Sequence, residues 1–271
     1  MTPAPARSAG GTQALERALR LMRDIASSGG LGRRLIDLQR STGLTKPTVH
    51  RIVRTLVRHD FVTHDRSTRR YFLGAEISIL SVSAPDDLSH LRELARDDMR
   101  QLAQATGDTA YLMVRSGNDI VCLAREMGPY PIKALTGEIG TRRPLGVGAA
   151  GVALLAGLPP EEMEAVLKAN RKRMRGFPNA SERAIRAAVR NAQATGYALS
   201  GGMVHRTVRG IGVAVRGRRR EVVAGLSIGA IRERMTRAHT GEVMAALARA
   251  RSAIERKLRA HERMRRTVGG A

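Results

Sequence analysis

The sequence has one cysteine, Cys122, among 271 residues, no tryptophan and only 3% aromatic residues. A single cysteine excludes an intramolecular disulfide framework and a cysteine zinc cluster, which favours a reducing compartment such as the cytoplasm. No apolar run approaches the roughly 20 residues that a membrane-spanning helix needs, so we expect no membrane partner. Because single-stranded nucleic acids are usually stacked on aromatic side chains, the few aromatics disfavour that class of ligand.

Acidic residues are also scarce relative to basic ones. The chain has 24 Asp and Glu against 47 Lys and Arg, a formal net charge of +23. A positive field of this size attracts polyanions, but it does not choose among nucleic acid, anionic lipid and acidic proteins. Together with the shortage of aromatics, it favours double-stranded DNA bound through its phosphates. The length fits one large domain or two smaller ones.

A helix-turn-helix pattern lies near the amino terminus. Apolar residues at Val49, Ile52, Val53 and Leu56 have helical spacing, and they predict a basic helix from Thr45. A shorter helix over residues 35–40 and a glycine turn come first. This order is typical of a DNA-binding unit whose second helix enters the major groove. The alternative is a structural bundle of three helices whose charges are merely solvated.

The rest of the pattern predicts the domain organisation. We expect a disordered tail over residues 1–11, a DNA-binding domain over 12–75, a linker helix over 76–90 with a break at Pro85, a domain of mixed α and β structure over 91–263, and a disordered tail over 264–271. In the first predicted helix, Leu15, Leu19, Met22 and Ile25 form one apolar stripe. Extended segments at 61–63 and 70–73 predict a wing.

Several segments resemble the IclR family of bacterial regulators. They are "LIDLQRSTGLTKPTVHRIVRTLVRHDFVTHD", "RRYFLGAEI", "RRPLGVGAAGVALLAGLPPEE" and "GYALSGGMVHRTVRGIGVAVRGRRREVVAGLSIGA". The resemblance covers residues 12–260 and implies an α+β protein. Its parts would be an N-terminal winged helix-turn-helix domain, a linker helix and a C-terminal GAF- or profilin-like α/β domain for effector binding and oligomerisation. The implied function is a transcriptional regulator that binds a double-stranded DNA operator as a homodimer or homotetramer. The family holds both repressors and activators, and we expect a repressor here.

The predicted DNA contacts lie before the first helix of the motif, on its second helix and on the wing. The residues are Arg33, Arg34, Thr45, Lys46, Thr48, His50, Arg51, Arg54, Arg66, Arg69 and Arg70. Thr45 has a second interpretation as a helix cap, and His50 as a polar surface residue.

The resemblance also implies a pocket for a small-molecule effector, a carboxylate or an aromatic metabolite. Its expected residues are Arg125, Leu135, Gly148, Ala149, Ala150, Gly151, Ser200, Gly210, Ile211, Ser227 and Gly229. Glycine stands at several of the positions where family members carry polar side chains. A larger or more apolar ligand than a two- or three-carbon keto acid is therefore expected. Backbone N–H groups at a helix start can still bind a carboxylate.

Other functions are disfavoured. Residues 146–151 match GxGxxG, but the preceding polar, proline-containing segment does not suit the strand of a dinucleotide site. The seven histidines show no metal-ligand spacing, and Cys122 in an apolar segment is typical of a core residue. We therefore expect no enzyme activity, no cofactor and no metal. Two alternatives stay open: a basic architectural DNA-binding protein without effector control, and a winged-helix adaptor that binds protein.

Overall fold

The computed structural model describes residues 12–83 and 87–268, which form two compact units that separate before Asp87. The tail predicted over residues 1–11 and the predicted break at Pro85 lie outside the described residues. The linker predicted over 76–90 contains parts of two helices, because one helix ends at Val82 and the next begins at Asp87.

The first unit contains four helices and a three-stranded sheet. Its strands are antiparallel and are ordered β1-β3-β2. The elements are α1 (Gln13–Ala26), β1 (Arg33–Arg34), α2 (Leu35–Thr42), α3 (Lys46–Arg58), β2 (Val62–Asp65), β3 (Arg70–Leu73) and α4 (Ala75–Val82).

The core of the first unit fixes the angle between α2 and α3. Leu21, Leu38 and Val49 come from three different helices, and each is fully buried. Gly43 ends α2 with φ 69°, a left-handed conformation that glycine adopts without steric cost. The stripe predicted on α1 is wrong in part, because Leu15 and Leu19 are exposed while Leu21 and Ile25 are buried.

The second unit has a six-stranded antiparallel sheet in the order β6-β5-β4-β9-β8-β7. The elements are α5 (Asp87–Thr106), β4 (Thr109–Ser116), β5 (Asp119–Met127), β6 (Arg142–Pro144), α6 (Ala149–Ala156), α7 (Pro160–Met174), α8 (Glu182–Thr195), β7 (Ala198–Gly201), β8 (Val208–Arg216), β9 (Val222–Ile231), a short 3-10 helix (Arg232–Arg234) and α9 (Arg237–Val268).

Both faces of this sheet are covered by helices, and the side chains of each strand alternate between them. On β9, Leu226 and Ile228 belong to the core formed with α5 and α9. Gly225, which precedes Leu226, lies against α6, where an added Cβ would lie 2.7 Å from the Ala150 carbonyl oxygen. Glycine therefore allows the backbone of α6 to pack directly on the sheet.

Three elements differ from the predictions. The edge strands β6 and β7 were not predicted, because each is short and lacks a strong apolar alternation. Helix α9 continues to Val268, whereas a disordered tail is predicted from residue 264. Arg and Met are good helix formers, and residues 264–268 contain no glycine. No helix in the described part of the chain combines the length and the apolar character needed to cross a membrane.

Candidate nucleic-acid interface and ligand pocket

The exposed face of α3 is cationic. Lys46, Arg51 and Arg54 are all exposed, and α3 contains no carboxylate. None of these three side chains forms an ion pair with another residue that the structure describes. His50 is exposed on the same helix. The opposite face buries Val49 and Val53, so packing of the core turns the basic side chains outward.

The start of α3 presents two hydroxyl groups. Thr45 occupies the N-cap position, but its side chain makes no capping hydrogen bond to the helix backbone. Instead the Thr45 and Thr48 hydroxyls are hydrogen-bonded to each other at 2.9 Å. The predicted capping role of the Thr45 side chain is therefore wrong, and both hydroxyls lie at the end of the helix that enters the groove in this motif.

A rigid turn shapes the wing. The Asp65 carboxylate accepts hydrogen bonds from the hydroxyls of Ser67 and Thr68, each at 2.7 Å, and from the Ser67 N–H at 2.8 Å. These bonds stabilise the charged form and hold the pKa of Asp65 well below its usual range. The turn leaves Arg66 and Arg69 exposed at the tip of the wing.

Two predicted DNA contacts are engaged within the unit instead. The Arg33 guanidinium lies 3.6 Å from the Asp24 carboxylate. Arg70 donates hydrogen bonds to the carbonyls of Leu31 and Gly32, at 3.1 and 3.0 Å. Both side chains hold β1 and its preceding loop in place. Arg34, by contrast, is exposed.

A pocket lies in the second unit between the start of α6 and strands β4, β7, β8 and β9. Its cavity volume, the space in which a water molecule can be centred, is about 40 Å³, and the pocket is partly open to solvent. Eight predicted effector residues line it: Gly148, Ala149, Ala150, Gly151, Ser200, Gly210, Ser227 and Gly229. Ser200, Gly210 and Gly229 are paired in register on β7, β8 and β9. A Cβ added at Gly210 would lie 2.9 Å from the Ser200 Oγ, so glycine at this position leaves space for that hydroxyl.

Three predicted effector residues do not line this pocket. Ile211 follows Gly210 on β8, so its side chain lies on the opposite face, in the core with α5 and α9. Leu135 is 51% exposed. Arg125 is paired with the Glu138 carboxylate at 2.7 Å and donates to the Gly137 carbonyl at 3.1 Å. The prediction that these three residues contact an effector in this pocket needs correction.

The sequence reasoning missed Arg143, Tyr111 and Thr136, which also line the pocket. Arg143 is on edge strand β6 and is only 8% exposed. Its guanidinium donates a hydrogen bond to the Thr136 carbonyl. Burial lowers the pKa of Arg143, since a low-dielectric environment disfavours the charged form. The segment "RRP" carries no sign of this burial, because the covering residues come from elsewhere in the chain.

An irregular segment, residues 128–141, passes beside the pocket, and we call it the strap. The Tyr111 hydroxyl donates to the Ala134 carbonyl at 2.7 Å and accepts from the Thr136 N–H at 3.0 Å. Arg143 also holds Thr136. Burial raises the pKa of Tyr111, so its hydroxyl stays protonated and can donate to Ala134.

Two sequence features that could indicate a chemical function, the GxGxxG match and Cys122, have structural roles instead. The glycines of the GxGxxG match, residues 146–151, follow an antiparallel edge strand rather than the parallel strand of a dinucleotide fold. Cys122 is 1% exposed, and burial raises its pKa to about 11. A protonated, inaccessible thiol is a core residue, as expected for this position.

Each of the two units matches a known protein-family model. A family model described as "Bacterial transcriptional regulator IclR C-terminal" matches residues 87–256, and the IclR helix-turn-helix domain matches residues 14–66. The chain belongs to the IclR family. This membership confirms the predicted fold, with an N-terminal helix-turn-helix domain and a C-terminal α/β domain, and identifies a transcriptional regulator rather than an enzyme.

Relatives within the IclR family are similar over most of their length. The glycerol operon regulatory protein of Streptomyces coelicolor is 31% identical, and the alignment covers 83% of this chain and 87% of the relative. The regulator KipR of Bacillus subtilis is 30% identical over 74% of this chain and 80% of its own.

A crystal structure of an IclR homologue from Microbacterium hydrocarbonoxydans, complexed with 4-hydroxybenzoate, has a TM-score of 0.70 and is 25% identical. The match covers 92% of this chain and all of that one.

Proposed function

We propose that this protein is a cytoplasmic transcriptional repressor that binds double-stranded operator DNA through α3 and the wing. The observation that carries the proposal is the set of exposed cations at Lys46, Arg51 and Arg54, which have no carboxylate partner among the described residues. Cations free of intramolecular partners are available to phosphates and base edges. Arg34, Thr45, Thr48, His50, Arg66 and Arg69 complete the proposed interface.

The second unit is proposed to bind the effector in the pocket at the start of α6. Apolar side chains such as Met113 and Val204 line it beside a few polar groups, as in most small-molecule sites. This composition suits an organic metabolite with an apolar body. Because the cavity volume is about 40 Å³, the pocket must widen to admit one larger than a two- or three-carbon keto acid. The homologue that was crystallised with 4-hydroxybenzoate supports a ligand of this kind.

Binding of an effector would change operator affinity through a two-state equilibrium. An effector can do this only by binding one state of the protein more tightly than the other. We propose that the protein binds the operator as a homodimer. The α3 helices of the two protomers would contact half-sites about 34–36 Å apart. Helix α4 supports self-association, because it buries no residue while Ile79 and Val82 are 61% and 84% exposed.

The test is binding to the intergenic DNA beside the gene for this protein. Fluorescence anisotropy at about 150 mM salt with excess non-specific competitor suppresses the non-specific binding that a basic protein shows at low salt. We compare wild type with Lys46→Ala/Arg51→Ala. Arg218→Ala/Arg219→Ala is the matched control, since it removes two exposed charges from the second unit.

The expected result is tight, competitor-resistant binding that only the α3 double variant loses. Equal losses in both double variants would favour a non-specific architectural protein. Retained function without the α3 charges would favour a protein-binding adaptor. The oligomeric state is measured separately, by light scattering, and a monomer on DNA would contradict the dimer.

A further inference from the structure

Arg143 places a buried positive charge in the wall of the pocket. It is 8% exposed, and its guanidinium lies beside the start of α6, since an added Cβ at Gly148 would lie 3.9 Å from its Nη1. Its guanidinium donates a hydrogen bond to the neutral carbonyl of Thr136. No ion pair joins Arg143 to a carboxylate among the residues whose side chains the structure describes.

A charge in this position is costly to the protein on its own. Buried charges in proteins are normally paired, and the guanidinium cannot escape the cost by losing its proton. The Thr136 carbonyl satisfies part of its hydrogen-bonding capacity but none of its charge. The neighbouring Arg142, by contrast, lies 3.8 Å from the Asp119 carboxylate. The two adjacent arginines therefore differ in whether the fold itself supplies a counter-charge.

Two buried hydroxyls line the same pocket. Ser200 and Ser227 are 8% and 7% exposed, and neither side chain forms a hydrogen bond to another described residue. Buried polar groups usually have a partner, so these hydroxyls are available to a ligand. The first-turn N–H groups of α6, at Ala149 and Ala150, also border the pocket and favour negative charge.

We propose that Arg143 is the residue that makes this pocket selective for a monoanionic effector over an uncharged analogue. The carboxylate of the effector would bind the Arg143 guanidinium beside the start of α6, and Ser200 and Ser227 would donate hydrogen bonds to it. One guanidinium compensates one negative charge, which favours a monocarboxylate over a phosphate ester. The apolar body would contact Met113 and Val204. This inference rests on the proposed function, because it assumes that the pocket is the effector site.

The test uses pairs of probes that differ only in charge. Thermal unfolding and calorimetric titration of the full chain are measured with benzoate and 4-hydroxybenzoate, and with the uncharged benzamide and 4-hydroxybenzamide. Wild type is compared with Arg143→Met, which keeps the length of the side chain without its charge. Arg142→Met is the matched control on the same strand.

We expect wild type and Arg142→Met to bind the acids at least tenfold more tightly than the amides. Arg143→Met should bind acid and amide with equal affinity. Equal binding of acids and amides by wild type, or discrimination that survives in Arg143→Met, would overturn the assignment.

A second readout does not depend on the choice of probe. Without any probe, Arg143→Met should have a higher Tm than wild type, because it removes a buried charge that no side chain compensates. If no probe binds, this comparison decides: a higher Tm supports the proposal, and a lower or unchanged Tm overturns it. Neither readout involves DNA, so failure here is distinguishable from failure of operator binding by wild type.

Discussion

The Tyr111 hydroxyl and the Ala134 carbonyl are hydrogen-bonded at 2.7 Å across 23 residues of sequence. The same hydroxyl accepts from the Thr136 N–H at 3.0 Å, so one side chain fixes the strap at two points. The strap borders the pocket through Thr136, which also accepts from Arg143. Pocket residues and strap are thus joined in one hydrogen-bonded group.

Replacement of Tyr111 by Phe should loosen the strap. The change removes two hydrogen bonds, while the Thr136 N–H and the buried Ala134 carbonyl keep their mutual bond at 3.0 Å. Two hydrogen bonds together contribute about 1–3 kcal/mol of unfolding free energy. Urea denaturation measures the loss, and amide exchange at Thr136 should accelerate.

The matched control for this prediction is Tyr197→Phe. The Tyr197 hydroxyl makes one longer bond, 3.3 Å to the Met244 carbonyl, elsewhere in the same unit. It should cost at most about 1 kcal/mol and leave exchange at Thr136 unchanged. Equal effects of the two variants on the free energy of unfolding and on amide exchange at Thr136 would show that the Tyr111 hydroxyl does not stabilise the strap specifically.

Replacement by alanine should lower the free energy of unfolding at one glycine of β9 and change it little at another. In Gly225→Ala the new Cβ would lie 2.7 Å from the Ala150 carbonyl oxygen, which forces α6 away and costs about 1–3 kcal/mol. In Gly229→Ala the nearest atom is Tyr111 Cε2 at 3.5 Å, an ordinary contact. That variant should stay within about 1 kcal/mol of wild type. Similar losses of unfolding free energy in both would refute the packing of α6 described above.

The wing turn should keep its charge to low pH. Hydrogen bonds from Ser67 and Thr68 lower the pKa of Asp65 below its ordinary value of 3.8. A lowered pKa means that the carboxylate stabilises the turn fully above pH 3.8 and loses this effect only as the pH falls through the lower, folded value. An NMR titration of the Asp65 carboxyl carbon should have its midpoint well below 3.8, and Ser67→Ala should raise it. An ordinary midpoint in wild type would contradict the turn geometry.

The helix-turn-helix was predictable because its signals are local. The apolar spacing of Val49 and Val53, the proline at Pro47 and the glycine at Gly43 each fix the backbone within a few residues. The stripe on α1 was not predictable in the same way. Leu15, Leu19, Leu21 and Ile25 allow more than one helical face, and only packing against Leu38 and Val49 selects the buried one.

The pocket was predictable in part for a related reason. Residues 148–151 and Gly210, Ser227 and Gly229 were indicated by resemblance, and the sheet register brings them together. Arg143 was missed because an arginine in a polar segment normally predicts exposure. Its burial depends on the strap, whose position follows from the hydrogen bonds of Tyr111 rather than from any local pattern.

A specific regulator of the IclR family must distinguish its operator from other DNA. The most direct measurement is a competition titration of wild type, at about 150 mM salt, between the intergenic duplex and a scrambled duplex of identical length and base composition. We expect a preference of about 10³-fold or more for the intergenic duplex, as is usual for specific regulators. Equal affinity for the two duplexes would contradict it, because charge alone would then explain the binding.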